Sequence, residues 1–112
     1  MSGIYAMYYT GAAGSGFSVF VMKDGVIAGA DPLGGVLDGN YKEAGDGKID
    51  IAVNLTVPSG TSLVTGAIAG QESMTQEIKG TFPTSFADGN ALPVQTPTGP
   101  VNVIFKRLRD LP

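Results

Sequence analysis

The stretch from residue 16 to 31, GFSVFVMKDGVIAGAD, decides the fold class. Two apolar, alternating runs flank its dipeptide Asp24-Gly25. Asp-Gly between two such runs is the strongest short-range signal for a two-residue β-hairpin, because both residues accept the positive φ that the turn requires. The stretch therefore predicts two antiparallel strands, the first over 16–23 and the second over 26–31.

Alternating apolar residues recur on both sides of this hairpin. The segment 49–56 has the cleanest alternation, which predicts one buried and one solvated face. Gly39 predicts a bend or bulge inside the fourth strand. Residues 61–70 form a weaker sixth strand, because alanine and glycine have little β preference, and turn formers in 83–100 predict a loop or one helical turn. The predicted strands cover residues 3–10, 16–23, 26–31, 35–43, 49–56, 61–70, 74–82 and 101–108.

Short turns between strands favour a meander in which each strand pairs with the next in sequence. Closing the meander removes exposed edges that would otherwise promote aggregation. We therefore expect one domain over residues 1–112, an all-β, up-and-down antiparallel eight-stranded β-barrel. A barrel of this size either fills with side chains or holds one small ligand, and the sequence leaves both interiors open.

The composition argues against catalysis. The chain contains neither cysteine nor histidine, which removes thiolate chemistry, the commonest general base and the commonest metal ligand. The sequence Ser-x-x-Lys, which would supply another nucleophile, does not occur. We expect a protein that is not an enzyme, with no catalytic residue, cofactor or metal. An enzyme that uses aspartate or tyrosine is the third and least favoured hypothesis.

Charge and hydropathy limit the partners further. The net charge is −3, and the basic cluster Lys106, Arg107 and Arg109 is typical of a solvated strand edge. A nucleic-acid partner would require a broader basic face. The apolar stretch 17–22 is too short to cross a bilayer, and residues 1–16 lack the pattern of a secretory signal. A cytoplasmic location without membrane contact is the expectation.

Two groups of residues are candidate binding sites. Glu43 and Asp46 lie at a predicted exposed turn, where recognition residues are often found on a rigid scaffold. The second group consists of apolar and aromatic residues of the first two strands that can line the mouth of a barrel: Tyr5, Met7, Tyr9 and Phe20. Alternation does not decide which face of these strands points inward, so the tyrosines and Met7 fit a dimer interface as well as a core.

The order of these features resembles the GrlR-like family, negative regulators of type III secretion. The likeness is clearest over residues 3–56. Its elements are Gly3-Ile4-Tyr5, then Gly14 and Gly16, then Asp24-Gly25 with Gly29 and Asp31, then Gly39 and Tyr41, and finally a C-terminal strand ending in Leu108 near a proline.

The resemblance implies a lipocalin-like barrel that acts as a homodimer and restrains a helix-turn-helix transcriptional activator. It also implies that an acidic cluster after the fourth strand makes that contact. Here the corresponding segment 42–48 keeps two acids, Glu43 and Asp46, between flanking lysines. The leading hypothesis is thus a dimeric regulatory protein that binds an activator. The alternative is a carrier of a small hydrophobic ligand, bound inside the barrel.

Overall fold

The computed structural model describes residues 2–112, and strands make up most of it. All strand pairs are antiparallel. In this part of the chain no helix is long and apolar enough to cross a membrane. The strands are β1 (Gly3–Gly11), β2 (Gly14–Lys23), β3 (Val26–Ala30), β4 (Val36–Gly45), β5 (Lys48–Val57), β6 (Met74–Pro83), β7 (Asp88–Thr96) and β8 (Gly99–Asp110).

The strands form one sheet in the order β6-β5-β4-β3-β2-β1-β8-β7. The pairing of β1 with β8 brings the two ends of the chain together and curls the sheet into a nearly closed barrel. Its edges, β6 and β7, lie against each other at what we call the seam. The predicted all-β, up-and-down, eight-stranded antiparallel barrel is confirmed.

Two Asp-Gly turns have the backbone that the sequence predicts. Asp24 and Gly25 join β2 to β3 with φ of 51° and 81°, and Asp46 and Gly47 join β4 to β5 with φ of 53° and 71°. Positive φ at both central residues matches the right-handed twist of the flanking strands. Asp46 therefore has a conformational role in its turn.

The location of one strand was wrong. Residues 61–70 do not form a strand: they lie in a long connection and contribute only the isolated bridge between Ser62 and Ile68. The missing strand is β7, which lies inside the stretch 83–100 that was expected to be a loop or helical turn. Pro93 argues against a strand in the sequence, because proline cannot donate a ladder hydrogen bond. At the seam β7 tolerates proline, because one edge of this strand forms no ladder.

Gly39 marks a close approach between strands and is not the site of a bulge. The register of β4 against β5 shifts between Glu43 and Gly45 instead. A Cβ atom at Gly39 would collide with the carbonyl oxygen of Ala52 and lie 2.6 Å from Cα of Val53. Glycine is therefore required where β5 crosses close to β4.

The barrel has a packed end, where the β2–β3, β4–β5 and β6–β7 connections lie. Phe86 enters it from the β6–β7 connection and is 1% exposed. Its ring meets Phe105 edge-on at a centroid distance of 5.2 Å, while Tyr5 stacks on Phe20 at 5.4 Å. Aromatic packing of this kind closes this end of the barrel. We call the opposite end the mouth.

Tyr5 is fully buried at the packed end, although its side chain carries a polar atom. Its ring also lies 5.5 Å from the guanidinium carbon of Arg107, a cation–π distance. The Tyr5 hydroxyl has no hydrogen-bond partner among residues 2–112. A buried hydroxyl without a partner destabilises the folded state, because it gives up hydrogen bonds to water.

We expect Gly39→Ala to lower the free energy of unfolding by about 1–3 kcal/mol, because the new methyl group overpacks the β4–β5 contact. The control is Gly70→Ala, where a Cβ meets nothing within 4 Å, and a change within about 0.5 kcal/mol is expected. Urea denaturation measures both. Equal effects of the two substitutions would contradict the close approach.

Tyr5→Phe is expected to raise the free energy of unfolding by about 1 kcal/mol, because it removes the unpartnered hydroxyl and keeps the ring stacking. Tyr8→Phe is the control, since Tyr8 is 49% exposed and its hydroxyl reaches water. Thermal and urea denaturation provide the comparison. A Tyr5→Phe variant less stable than the wild type would show that the hydroxyl is satisfied.

Candidate functional site

The half of the barrel near the mouth encloses a cavity of about 420 Å³. This volume lies in the range of small-molecule sites, roughly 300–1,000 Å³. Most of its wall is aliphatic or aromatic. The apolar part of the wall includes Met7, Phe20, Leu37, Ile51, Val53, Leu55, Ile78, Phe82, Val94, Val101, Val103 and Phe105.

Inward-facing glycines keep the cavity open. Gly16 lies directly opposite Tyr9, and a Cβ there would come within 2.7 Å of the Tyr9 ring. Gly80 lies two residues before Phe82 on β6, and a Cβ there would come within 2.7 Å of the Phe82 ring. Each ring therefore occupies space beside the wall that a Cβ atom would otherwise take. Rings held in this way leave the lumen between the walls unfilled.

The long connection 58–73, which we call the cover loop, lies across the mouth. Val64 lines the cavity, and its carbonyl oxygen accepts a hydrogen bond of 2.7 Å from the backbone N–H of Ala13 in the β1–β2 turn. On the other side, the hydroxyls of Thr65 and Thr98 are 2.9 Å apart, which attaches the loop to the β7–β8 turn. The cover loop is thus held at two points.

A hydrogen bond closes the seam near the mouth. Below that bond, the cavity wall extends to the seam. Thr98 Oγ1 donates a hydrogen bond of 2.8 Å to Gln76 Oε1, which joins β6 to the β7–β8 turn. Further down, Lys79 and Gly80 line the cavity. The Lys79 side chain is 67% exposed, and its Nζ lies 3.3 Å from Glu77 Oε1 on the outer surface. The cavity wall therefore extends to the edge of β6 at the seam, beside exposed residues.

A few polar side chains interrupt the apolar wall. The hydroxyl oxygens of Tyr9 and Ser18 are 3.4 Å apart, and the Tyr9 hydroxyl oxygen is also 3.4 Å from the carbonyl oxygen of Phe17. Both distances are long for hydroxyl hydrogen bonds, which are usually about 2.7–2.8 Å. Gln76 is 6% exposed, and its Nε2 forms no hydrogen bond within residues 2–112.

Among the described residues that line the cavity, one is acidic: Asp31, at the rim of the mouth. Asp31 Oδ1 accepts hydrogen bonds from the backbone N–H groups of Leu33, at 2.9 Å, and Gly35, at 2.8 Å. These contacts hold the β3–β4 turn.

Burial raises the pKa of the Tyr9 hydroxyl above its ordinary value. The hydrogen bond with Ser18 lowers this pKa, and the Asp31 charge raises it further. The Tyr9 phenol is consequently held in its neutral form.

Three of the four residues predicted for the barrel mouth line the cavity: Met7, Tyr9 and Phe20. Tyr5 was wrong as a mouth residue, because it lies below the cavity in the packed end. All four side chains face inward, which excludes them from an interface on the outer surface. The inward face of β1 and β2 is thus the one that carries these four residues. The opposite face of β2 points outward, since Phe17 is 46% exposed and Val19 and Val21 are also exposed.

Sequence reasoning missed the polar groups of the wall and the cover loop. Gln76 carried a usable signal: it alternates in sequence with the inward-facing Ile78 and Gly80, so a polar residue stands on an apolar face. Ser18 carried a weaker one, because serine is also common on solvated faces. Nothing local marked Val64, whose position depends on how a long connection folds back.

Glu43 and Asp46 lie at the packed end, far along the barrel from the mouth. Both are exposed, and their side chains form no hydrogen bond or ion pair with the described residues. The φ of 53° at Asp46 is sufficient reason for an aspartate there. Their contact with a transcriptional activator stays a prediction.

No protein-family model, curated protein or solved structure matches the chain. The resemblance to the GrlR-like family and the lipocalin-like description therefore stay predictions.

The raised Tyr9 pKa predicts a loss of stability in alkali. Above about pH 10 the unfolded chain ionises this phenol before the folded protein does, so the free energy of unfolding falls as pH rises through the folded pKa. In Tyr9→Phe this part of the decline is absent. Urea denaturation of both proteins at pH 7 and at several values above pH 10 measures this decline. The difference between their free energies of unfolding at pH 7 is the reference. Parallel curves would contradict burial of the hydroxyl.

Proposed function

We propose that the protein is a non-enzymatic binding protein that holds a small apolar molecule inside the barrel. The observation that carries the proposal is the open, largely apolar cavity of about 420 Å³. The core is not filled by its own side chains, although an eight-stranded barrel is narrow enough to be filled. A protein that needed only stability would gain by filling this space, since cavities destabilise the folded state.

The geometry of the cavity supports exchange of a ligand with solvent. The wall reaches the surface at the seam beside Lys79 and, at the rim of the mouth, beside Leu33, which is 69% exposed. A fully enclosed void would admit nothing without unfolding. An apolar ligand gains about 25 cal/mol for each Å² that it removes from water. For a small aromatic probe, a Kd of about 1–100 µM is a reasonable expectation after the entropy of association is included.

N-phenyl-1-naphthylamine, an uncharged probe whose fluorescence rises in apolar surroundings, tests this function. We expect wild-type protein to bind it and Met7→Trp to bind it at least about tenfold more weakly, because the larger indole occupies part of the space that the probe needs. The matched control is Tyr8→Trp, since Tyr8 is the next residue on β1 and faces outward. Circular dichroism verifies that both variants fold. Lack of binding by the wild type would overturn the proposal.

An apolar area on the outer surface favours a second function, protein contact. We call it the outer face; it comprises Tyr8, Phe17, Val19, Val21 and Ile104, which are 37–49% exposed. The register places Tyr8 beside both Phe17 and Ile104 on the neighbouring strands. Apolar patches of this kind often mark interaction sites.

We assign a second copy of the chain to the outer face, in line with the homodimer that the sequence led us to expect. The molecule measures 41 × 23 × 22 Å, so its flank is large enough for the roughly 800 Å² that each partner buries in a standard interface. Lys106 lies at the edge of the outer face, opposite Ala6 and two residues from Ile104. Two copies can pack through Tyr8, Phe17, Val19 and Val21 and leave this lysine at the rim, where its charge stays in water.

Sedimentation velocity tests the dimer. We expect the wild type to sediment as a dimer and Phe17→Lys as a monomer, because the substitution places a charge in the centre of the contact. Asn54→Lys on the exposed side of β5 is the control and should remain dimeric. A monomeric wild type at about 100 µM would contradict the assignment, and so would a Phe17→Lys variant that remains dimeric.

A further inference from the structure

The polar groups of the cavity wall point to a particular class of ligand. Gln76 is 6% exposed, and its amide is oriented by the Thr98 hydroxyl, which donates to Oε1 at 2.8 Å. In this orientation Oε1 is engaged by Thr98, and the Nε2 donor is available to the cavity that Gln76 lines. Within the cavity this donor can bond only to water or to a ligand, so a ligand that displaces the water binds better when it supplies an acceptor.

A second polar site lies on another wall. Tyr9 and Ser18 belong to the neighbouring strands β1 and β2, several strands away from Gln76 in the sheet order. Their hydroxyls reach each other only at 3.4 Å. Each hydroxyl can rotate and form a shorter bond with a ligand atom, as donor or as acceptor. The wall thus offers hydrogen bonds at two places on an otherwise apolar surface.

The charges around the cavity disfavour an anionic ligand. Its charged lining residues are Asp31 and Lys79. The Asp31 carboxylate lies at the mouth, where it repels anions. The Lys79 ammonium lies outside, paired with Glu77 at 3.3 Å. An anion in the lumen would lose its hydration without gaining a buried cation, and such burial is strongly unfavourable.

We propose that the cavity selects an uncharged, mainly apolar molecule that carries a hydrogen-bond acceptor such as a carbonyl oxygen, bound by Gln76 Nε2, and that it discriminates against organic anions. The inference rests on the proposed ligand-binding function of the same cavity. Gln76 acts as the polar anchor, while the apolar wall supplies most of the affinity.

Two fluorescent probes with one ring system test the selection by charge. N-phenyl-1-naphthylamine is uncharged, and 1-anilinonaphthalene-8-sulfonate adds a single sulfonate to the same skeleton. We expect the sulfonate to bind wild-type protein at least about tenfold more weakly. Equal or tighter binding of the sulfonate would overturn the selection and leave the ligand-binding function standing. If neither probe binds, the ligand-binding function itself fails.

Decan-2-one, a ketone with an apolar tail, tests the anchor by displacement of N-phenyl-1-naphthylamine. We expect Gln76→Met to weaken the ketone about five- to tenfold and to leave the affinity of the probe, which lacks a carbonyl, within about twofold. Gln95→Met, an exposed position on β7, is the matched control and should bind like the wild type. Unchanged ketone affinity in Gln76→Met would overturn the role of Gln76, as would an equal loss for both molecules.

Discussion

The pairing of β1 with β8 is the interaction on which the rest of the structure depends. Every other ladder joins strands that follow one another in sequence, and such a meander alone would expose one apolar face. The contact of the first strand with the last curls the sheet and turns that face into an interior. Closure stops short of a β6–β7 ladder, and the cavity wall extends to the resulting seam at Lys79 and Gly80.

The parts of the fold that the sequence predicted are those that local chemistry specifies. Asp24-Gly25 requires positive φ at both positions, and the alternation over 49–56 requires one buried face, whatever the rest of the chain does. β7 was missed because its suitability as a strand depends on its place in the sheet. Pro93 is compatible with a strand at the seam and would not be in the centre of the sheet, and that place is a tertiary property.

The site, like the fold, was predictable only in the features that local sequence specifies. Alternation on β1 and β2 correctly grouped Met7, Tyr9 and Phe20 on the cavity side. It also grouped Tyr5 with them, because period-two alternation gives the face of a residue and not its depth along the barrel. Depth is decided by Phe86, which enters from a connection far away in sequence and fills the packed end around Tyr5. The cover loop escaped prediction for the same reason.

The proposed function depends on an open apolar cavity in the lumen near the mouth. The most direct measurement is a crystal structure of the protein pressurised with xenon, which occupies apolar cavities without requiring any particular ligand chemistry. We predict xenon density inside the barrel, in contact with Val53, Val94 and Val103. An interior filled by the protein's own side chains, with no xenon between these residues, would contradict it.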